Sequence, residues 1–110
     1  MQGLFPDKPQ IIFENGSVEV ADGMNRAAYI HRHIQEVQRA VQNGINVKGY
    51  VCWAITSNRE WDCEFCEASD FGLFHIDLDE DPSLKRKRTP AADIYQQIIQ
   101  NKGRFAYLPP

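Results

Sequence analysis

The first apolar run of the chain is Gln10-Ile11-Ile12-Phe13, lying between Pro9 and the turn pair Asn15-Gly16. A short β-branched and aromatic run bounded by turn residues predicts a buried strand, with Glu14 at its C-terminal end. Residues 17 to 21 read as a loop. From about Asp22 to Asn43 the period changes to that of a helix. Ile30, Ile34, Val37 and Val41 fall at spacings of four, three and four and share one face. Arg26, Arg32, Gln35, Arg39 and Gln42 largely take the other. Asp22 is the expected N-cap and Gly44 the stop. A second strand is expected over Val47 to Trp53, where Gly49-Tyr50-Val51-Cys52-Trp53 is almost entirely apolar, the pattern of a strand covered on both faces.

Beyond Trp53 the pattern loosens. Residues 54 to 70 read as a long polar and aromatic loop, and Phe71 to Asp77 as a short extra strand. An acidic stretch, Asp77 to Asp81, and a basic one, Lys85-Arg86-Lys87-Arg88, read as solvated surface. Thr89-Pro90 is a cap followed by proline at the first helical position, so a last helix begins there. It should run to about Asn101, with Ile94, Ile98 and Tyr95 inward, and stop at Gly103. The order is β-α-β-(β)-α, an α/β chain. A parallel pair of strands leaves two open edges. Self-association into a homo-oligomer, or docking on further strands, is therefore expected.

Composition adds bounds rather than detail. The chain has 110 residues, 43% hydrophobic and 25% charged, with a net charge of -3. One small core is affordable, and this charge is no reason to expect nucleic acid or an anionic membrane as partner. No apolar run approaches the roughly 20 residues of a membrane span. Met1 to Asp7 lacks the basic-then-apolar layout of a signal peptide, so a cytoplasmic location is the expectation. Of the 3 cysteines, Cys52 lies in an apolar run and reads as a small buried hydrophobe. Cys63 and Cys66 form a C-x-x-C in the loop. A structural zinc site needs about four ligands, and His31, His33 and His75 do not supply a second pair in any obvious way. No metal and no cofactor is expected, and the two thiols read as incidental.

Candidate chemistry gathers at the strand ends. Glu14 and Trp53 both close predicted parallel strands, and Asn58, Glu60 and Trp61 follow soon after. Carboxylates that accept from sugar hydroxyls, with flat indoles that pack on the C–H face of a pyranose, are what a carbohydrate site needs. Spacing alone leaves the alternative open that Glu14 is a surface acid and the tryptophans are core.

The motifs themselves resemble glycoside hydrolase family 1. Phe13-Glu14-Asn15-Gly16 is similar to its T/F-E-N-G. Asp22, Arg26, Tyr29, Ile30, His33 and Ile34 resemble its D-x-x-x-R-x-x-Y-L-x-x-H-L helix, and residues 44 to 50 its G-v-d-v-r-G-Y. Trp53 to Trp61 resembles W-S-L-L-D-N-x-E-W. Phe71-Gly72-Leu73, Ile76-Asp77 and Arg88-Thr89-Pro90 resemble the F-G-L, V-D and R-T-P-K signals. The resemblance implies a partial (β/α)8 TIM barrel, its last two strands with their helices, in a retaining β-glycosidase of β-glucosidase or β-galactosidase type. It implies Glu14 as nucleophile, Trp53 as the ring under the glycone, and Glu60 as the acid gripping glycone hydroxyls. Trp61 would be a hydroxyl donor beside Glu60, and Phe71 an apolar residue near the same subsite. The Glu60-Trp61 pair, with Ser69, Asp70 and Phe71 before Gly72, implies an unphosphorylated β-glycoside.

The departures are as informative. Trp53-Ala54 replaces W-S, and Ser57-Asn58 replaces D-N. No T-x-N-E-P motif, which carries the family's acid/base glutamate, occurs in these residues. A retaining glycosidase needs two carboxyl groups about 5–5.5 Å apart, so the 110 residues alone are expected to be inactive. Two rival readings remain: a non-catalytic truncated relative that self-associates and at most binds sugar weakly, and a C-x-x-C metal or thiol module. The glycosidase reading further requires Glu14, Trp53 and Glu60 to converge on one pocket at the C-terminal ends of the two main strands.

Overall fold

The computed structural model describes residues 7–19 and 25–102. Its elements in chain order are β1 (Gln10–Asn15), α1 (Arg26–Gln42), β2 (Val47–Cys52), a single 3-10 turn (Glu67–Ser69), β3 (Phe74–His75), β4 (Lys87–Arg88) and α2 (Pro90–Gln100). β1 and β2 pair in parallel across α1, and β3 pairs with β4 antiparallel. The described chain is thus a βαβ unit with a short hairpin and a closing helix, an α/β piece consistent with part of a barrel. No described helix is long and apolar enough to cross a membrane.

Local chemistry accounts for both helices. The Asn25 side chain accepts from the Ala28 backbone N–H and caps α1. This replaces the expected cap at Asp22, which lies outside the described residues, as does Gly103. Gly44 follows α1 with φ +91, a left-handed conformation that costs glycine nothing. Thr89 caps α2 through Ala92, with Pro90 at the start of the helix.

α1 and α2 pack together on one face of the parallel pair. Ile30, Ile34, Leu73, Ala91, Ala92 and Ile98 form the core, with Tyr50, Cys52, Ile94 and Tyr95 packed against it. Ile30 is fully buried; burying such a side chain contributes about 1.5–3 kcal/mol. The expected stripe holds for Ile30 and Ile34 but fades along α1, and Val41 is 47% exposed. Arg26 departs in the other direction, being buried rather than solvated.

The reading of β2 as covered on both faces is corrected. Ile11 (56%), Phe13 (80%) and Val51 (46%) are exposed, because no described element packs on the face opposite the helices. The near-continuous apolar run therefore marks a strand whose second face the described residues leave bare. The basic run Lys85 to Arg88 is exposed throughout, as expected, and its second half adds a short strand. Lys87 and Arg88 form a strand against Phe74 and His75, and the Arg88 guanidinium lies over the Phe74 ring.

Candidate functional site

Parallel pairing puts the ends of β1 and β2 side by side, as the strand order requires. Asn15 is the register partner of Cys52, and the Trp53 N–H donates to the Asn15 carbonyl at 2.8 Å. Gly16 is the only residue type that fits next. A Cβ there would fall 1.7 Å from the Trp53 carbonyl oxygen.

The register slips between Ile12 and Asn15. Ile12 faces Tyr50 and Asn15 faces Cys52, so β1 spends one more residue than β2 over this stretch. In an unbroken strand side chains alternate and Glu14 would share the helix-covered face of Ile12. The bulge breaks that alternation, a common device for re-aiming a side chain. Phe13 and Glu14 are both exposed, while Asn15 returns to a half-buried position.

Asn15 is held on both sides. The Tyr50 hydroxyl donates to its Oδ1 at 2.6 Å, and its Nδ2 lies 3.1 Å from His33 Nδ1. The His33 ring stacks on Tyr29 with centroids 3.9 Å apart. Burial, reinforced by Cys52, Tyr95 and Tyr29 nearby, pushes the Tyr50 phenol far above its ordinary value. It stays an O–H donor at every working pH.

On the β2 side, the Trp53 indole N–H donates to Glu60 Oε1 at 2.9 Å, and the Asn58 amide reaches the same oxygen at 3.3 Å. Trp53 is only 38% exposed despite closing an open strand. Among the residues expected to act, the structure joins Trp53 to Glu60 and sets both on the edge where β1 delivers Glu14. Phe71 is half-buried, and its carbonyl accepts from the Ala54 N–H at 3.1 Å. Trp61 is not brought in: it is 99% exposed. Elsewhere on the described residues, a cavity of about 580 Å³ is lined by Arg26, Phe65, Asp70, His75 and their neighbours, and one of about 460 Å³ by Ile55, Phe74, Arg88, Tyr95 and Ile99. Two strands make one wall of a site and cannot enclose a pyranose.

Sequence reasoning missed the polar network beneath this wall. The backbone of 54–57 runs along 71–74: Leu73 N–H donates to Ala54 O at 2.8 Å and Ser57 N–H to Phe74 O at 3.0 Å. That brings Ser57, Asp70 and His75 together. Ser57 Oγ donates to Asp70 Oδ1 at 2.8 Å and accepts from the Ile76 N–H at 2.9 Å, and His75 Nδ1 lies 2.7 Å from Asp70 Oδ2. Arg26 closes the network through the carbonyls of Ser17, Asp70 and Gly72. Burial pushes the Asp70 carboxyl up. The Gly72 N–H, His75, Ser57 and the Arg26 charge outweigh it, so the net shift is downward. His75, which reads as isolated in the sequence, is a full member. The signal for Arg26 was present only as its place in the helix motif.

The chain matches the model of glycosyl hydrolase family 1 over residues 4–104. It belongs to that family. It is 33% identical to beta-glucosidase 32 of Arabidopsis thaliana over 84% of the chain and 17% of that protein. To a beta-galactosidase of Pyrococcus woesei it is 34% identical, over 86% of the chain and 18% of the relative. Among solved structures, a hyperthermophilic beta-glucosidase from Pyrococcus furiosus superposes with a TM-score of 0.77 at 33% identity, over 92% of the chain and 20% of that structure. The chain therefore spans about a fifth of the length of these relatives.

Proposed function

We propose that this chain is the nucleophile-bearing part of a retaining β-glycosidase of β-glucosidase or β-galactosidase type. The observation that carries the reading is the Trp53–Glu60 hydrogen bond at the end of β2, on the same sheet edge as the bulged Glu14. Glu14 attacks the anomeric carbon and forms a glycosyl-enzyme, which water then hydrolyses. Trp53 lies under the glycone. Its indole N–H orients Glu60, whose remaining lone pairs accept from the far sugar hydroxyls. Phe71 borders the same subsite. Trp61 becomes a hydroxyl donor only when further chain folds its loop inward. Asp70 is spent on Ser57, His75 and Gly72, so Glu60 is the acid that disfavours a phosphorylated sugar.

The acid/base carboxyl comes from chain beyond these 110 residues. Proton donation contributes about 10²–10⁴-fold, so the isolated chain leaves unactivated β-glycosides intact. The test is complementation with the N-terminal four-fifths of a family 1 relative that carries T-x-N-E-P. Cellobiose hydrolysis that appears on mixing and vanishes with Glu14→Gln supports the assignment. Hydrolysis that persists with Glu14→Gln refutes it.

A second reading is favoured by one observation, the bare apolar face of Ile11, Phe13 and Val51. In it the chain is a non-catalytic relative whose open sheet is covered by another copy. Failure of complementation together with a stable dimer would support it.

A further inference from the structure

Cys63 and Cys66 are both exposed, while Cys52 is half-buried in the core. No group of three or more His, Cys, Asp or Glu among the described residues could hold a metal ion. The two thiols are separated by two residues in sequence and both reach solvent.

Each is tied to a different neighbour. The Ser69 hydroxyl accepts from the Cys66 N–H at 3.1 Å and donates to the Glu64 carbonyl at 2.8 Å. Ser69 is itself buried, next to the anchored Asp70. The Cys66 end of the loop is thereby pinned to the polar network. At the other end, the Cys63 N–H donates to the Glu60 carbonyl at 3.3 Å. That closes a turn whose first residue is Glu60 and whose second, Trp61, is wholly exposed. The same turn carries the Glu60 carboxylate that the Trp53 indole holds, so a bond between the two cysteines acts on the segment that sets Glu60 against Trp53.

We propose that Cys63 and Cys66 form a reversible disulfide with a low-molecular-weight disulfide as oxidant, and that its formation shifts the Glu60 turn relative to Trp53. One thiolate attacks the oxidant, forming a mixed disulfide and expelling one small thiolate. The second cysteine attacks the mixed bond, forms the Cys63–Cys66 S–S bond and expels the other. Two electrons pass to the oxidant, which leaves as two thiols carrying the protons lost by the cysteines. Only two residues separate the sulfurs, and an exposed disulfide is readily reduced again. Burial, against the opposing charge of Arg26, raises the Cys52 thiol to about 11 and keeps it out of the exchange.

The experiment uses the full chain in glutathione buffers of graded redox ratio, followed by acid quench, alkylation and peptide mass mapping. A parallel set in Trp61→Phe leaves Trp53 as the sole indole. Expected are a Cys63–Cys66 disulfide, an unmodified Cys52, and a Trp53 emission shift that reverses on reduction and is lost in Cys63→Ser. Cys66→Ser should stall at a glutathione adduct on Cys63. Free thiols throughout, stable double adducts, a bond to Cys52, or a disulfide that leaves Trp53 emission unchanged would each overturn the proposal.

Discussion

Gly16 and Trp53 meet backbone to backbone: a Cβ on Gly16 would lie 1.7 Å from the Trp53 carbonyl oxygen. The two strand ends that carry Glu14 and the indole are thus spaced by the absence of a side chain. Gly16→Ala must push them apart. The expected cost is about 1–3 kcal/mol, the usual range for overpacking, read as a drop in the urea midpoint. Gly44→Ala meets nothing within 4 Å but keeps a φ of +91, so its cost should be smaller, about 1 kcal/mol.

Arg26→Lys should be more damaging than its conservative chemistry suggests. The guanidinium reaches the carbonyls of Ser17, Gly72 and Asp70 at once, and an ammonium on a flexible stem cannot span three acceptors in a plane. Loss of two such charge-assisted bonds, at about 1.5–3 kcal/mol each, gives an expected destabilisation of about 3 kcal/mol or more. An unchanged denaturation midpoint would remove the network from the account of the fold.

Acid should act through Asp70. Its carboxyl is held below the ordinary value in the folded chain, so the stability it contributes is present above the unfolded pKa of about 3.9. That stability is lost as pH falls through the lower folded value. Denaturation midpoints should therefore drop between neutral pH and about pH 3, and Asp70→Asn should flatten that part of the profile while lowering the neutral-pH midpoint. A profile of the same slope in Asp70→Asn would show that other carboxylates govern acid unfolding.

Tyr50→Phe tests the clamp on the bulge. Removing the hydroxyl leaves Asn15 Oδ1 short of its 2.6 Å donor, which should cost about 1–3 kcal/mol for an unsatisfied part-buried acceptor. In a complemented barrel the same change should lower kcat with little effect on KM, because it loosens Glu14 and leaves Trp53 and Glu60 in place. A rise in KM alone would instead assign Tyr50 to binding.

Ile11, Phe13 and Val51 are exposed apolar residues of the sheet, and among the described residues no further strand pairs with either outer edge of the β1–β2 pair. Such edges and faces pair with other chains. Sedimentation of the isolated chain should show dimers or larger species that shrink when Phe13 and Val51 are changed to Lys together. A compact monomer at all concentrations would contradict this.

The sequence by itself determined the strand–helix–strand order, the Gly44 stop of α1, the Thr89-Pro90 start, and the family motifs in register. These are local: period, capping chemistry and turn residues act within a few positions and are legible one segment at a time. Other features were decided only by the tertiary structure. The extra residue in β1 that turns Glu14 off the helix-covered face is set by register against β2, which no single-strand pattern encodes. The burial of Arg26 depends on carbonyls 44 and 46 residues away. The bare second face of the sheet is also invisible to periodicity, because an apolar run records the surface a strand has for burial and not which chain covers it. Trp61 shows the same limit from the other side: its motif neighbour Glu60 finds Trp53 through one hydrogen bond, while its own ring, with no wall opposite, stays in solvent.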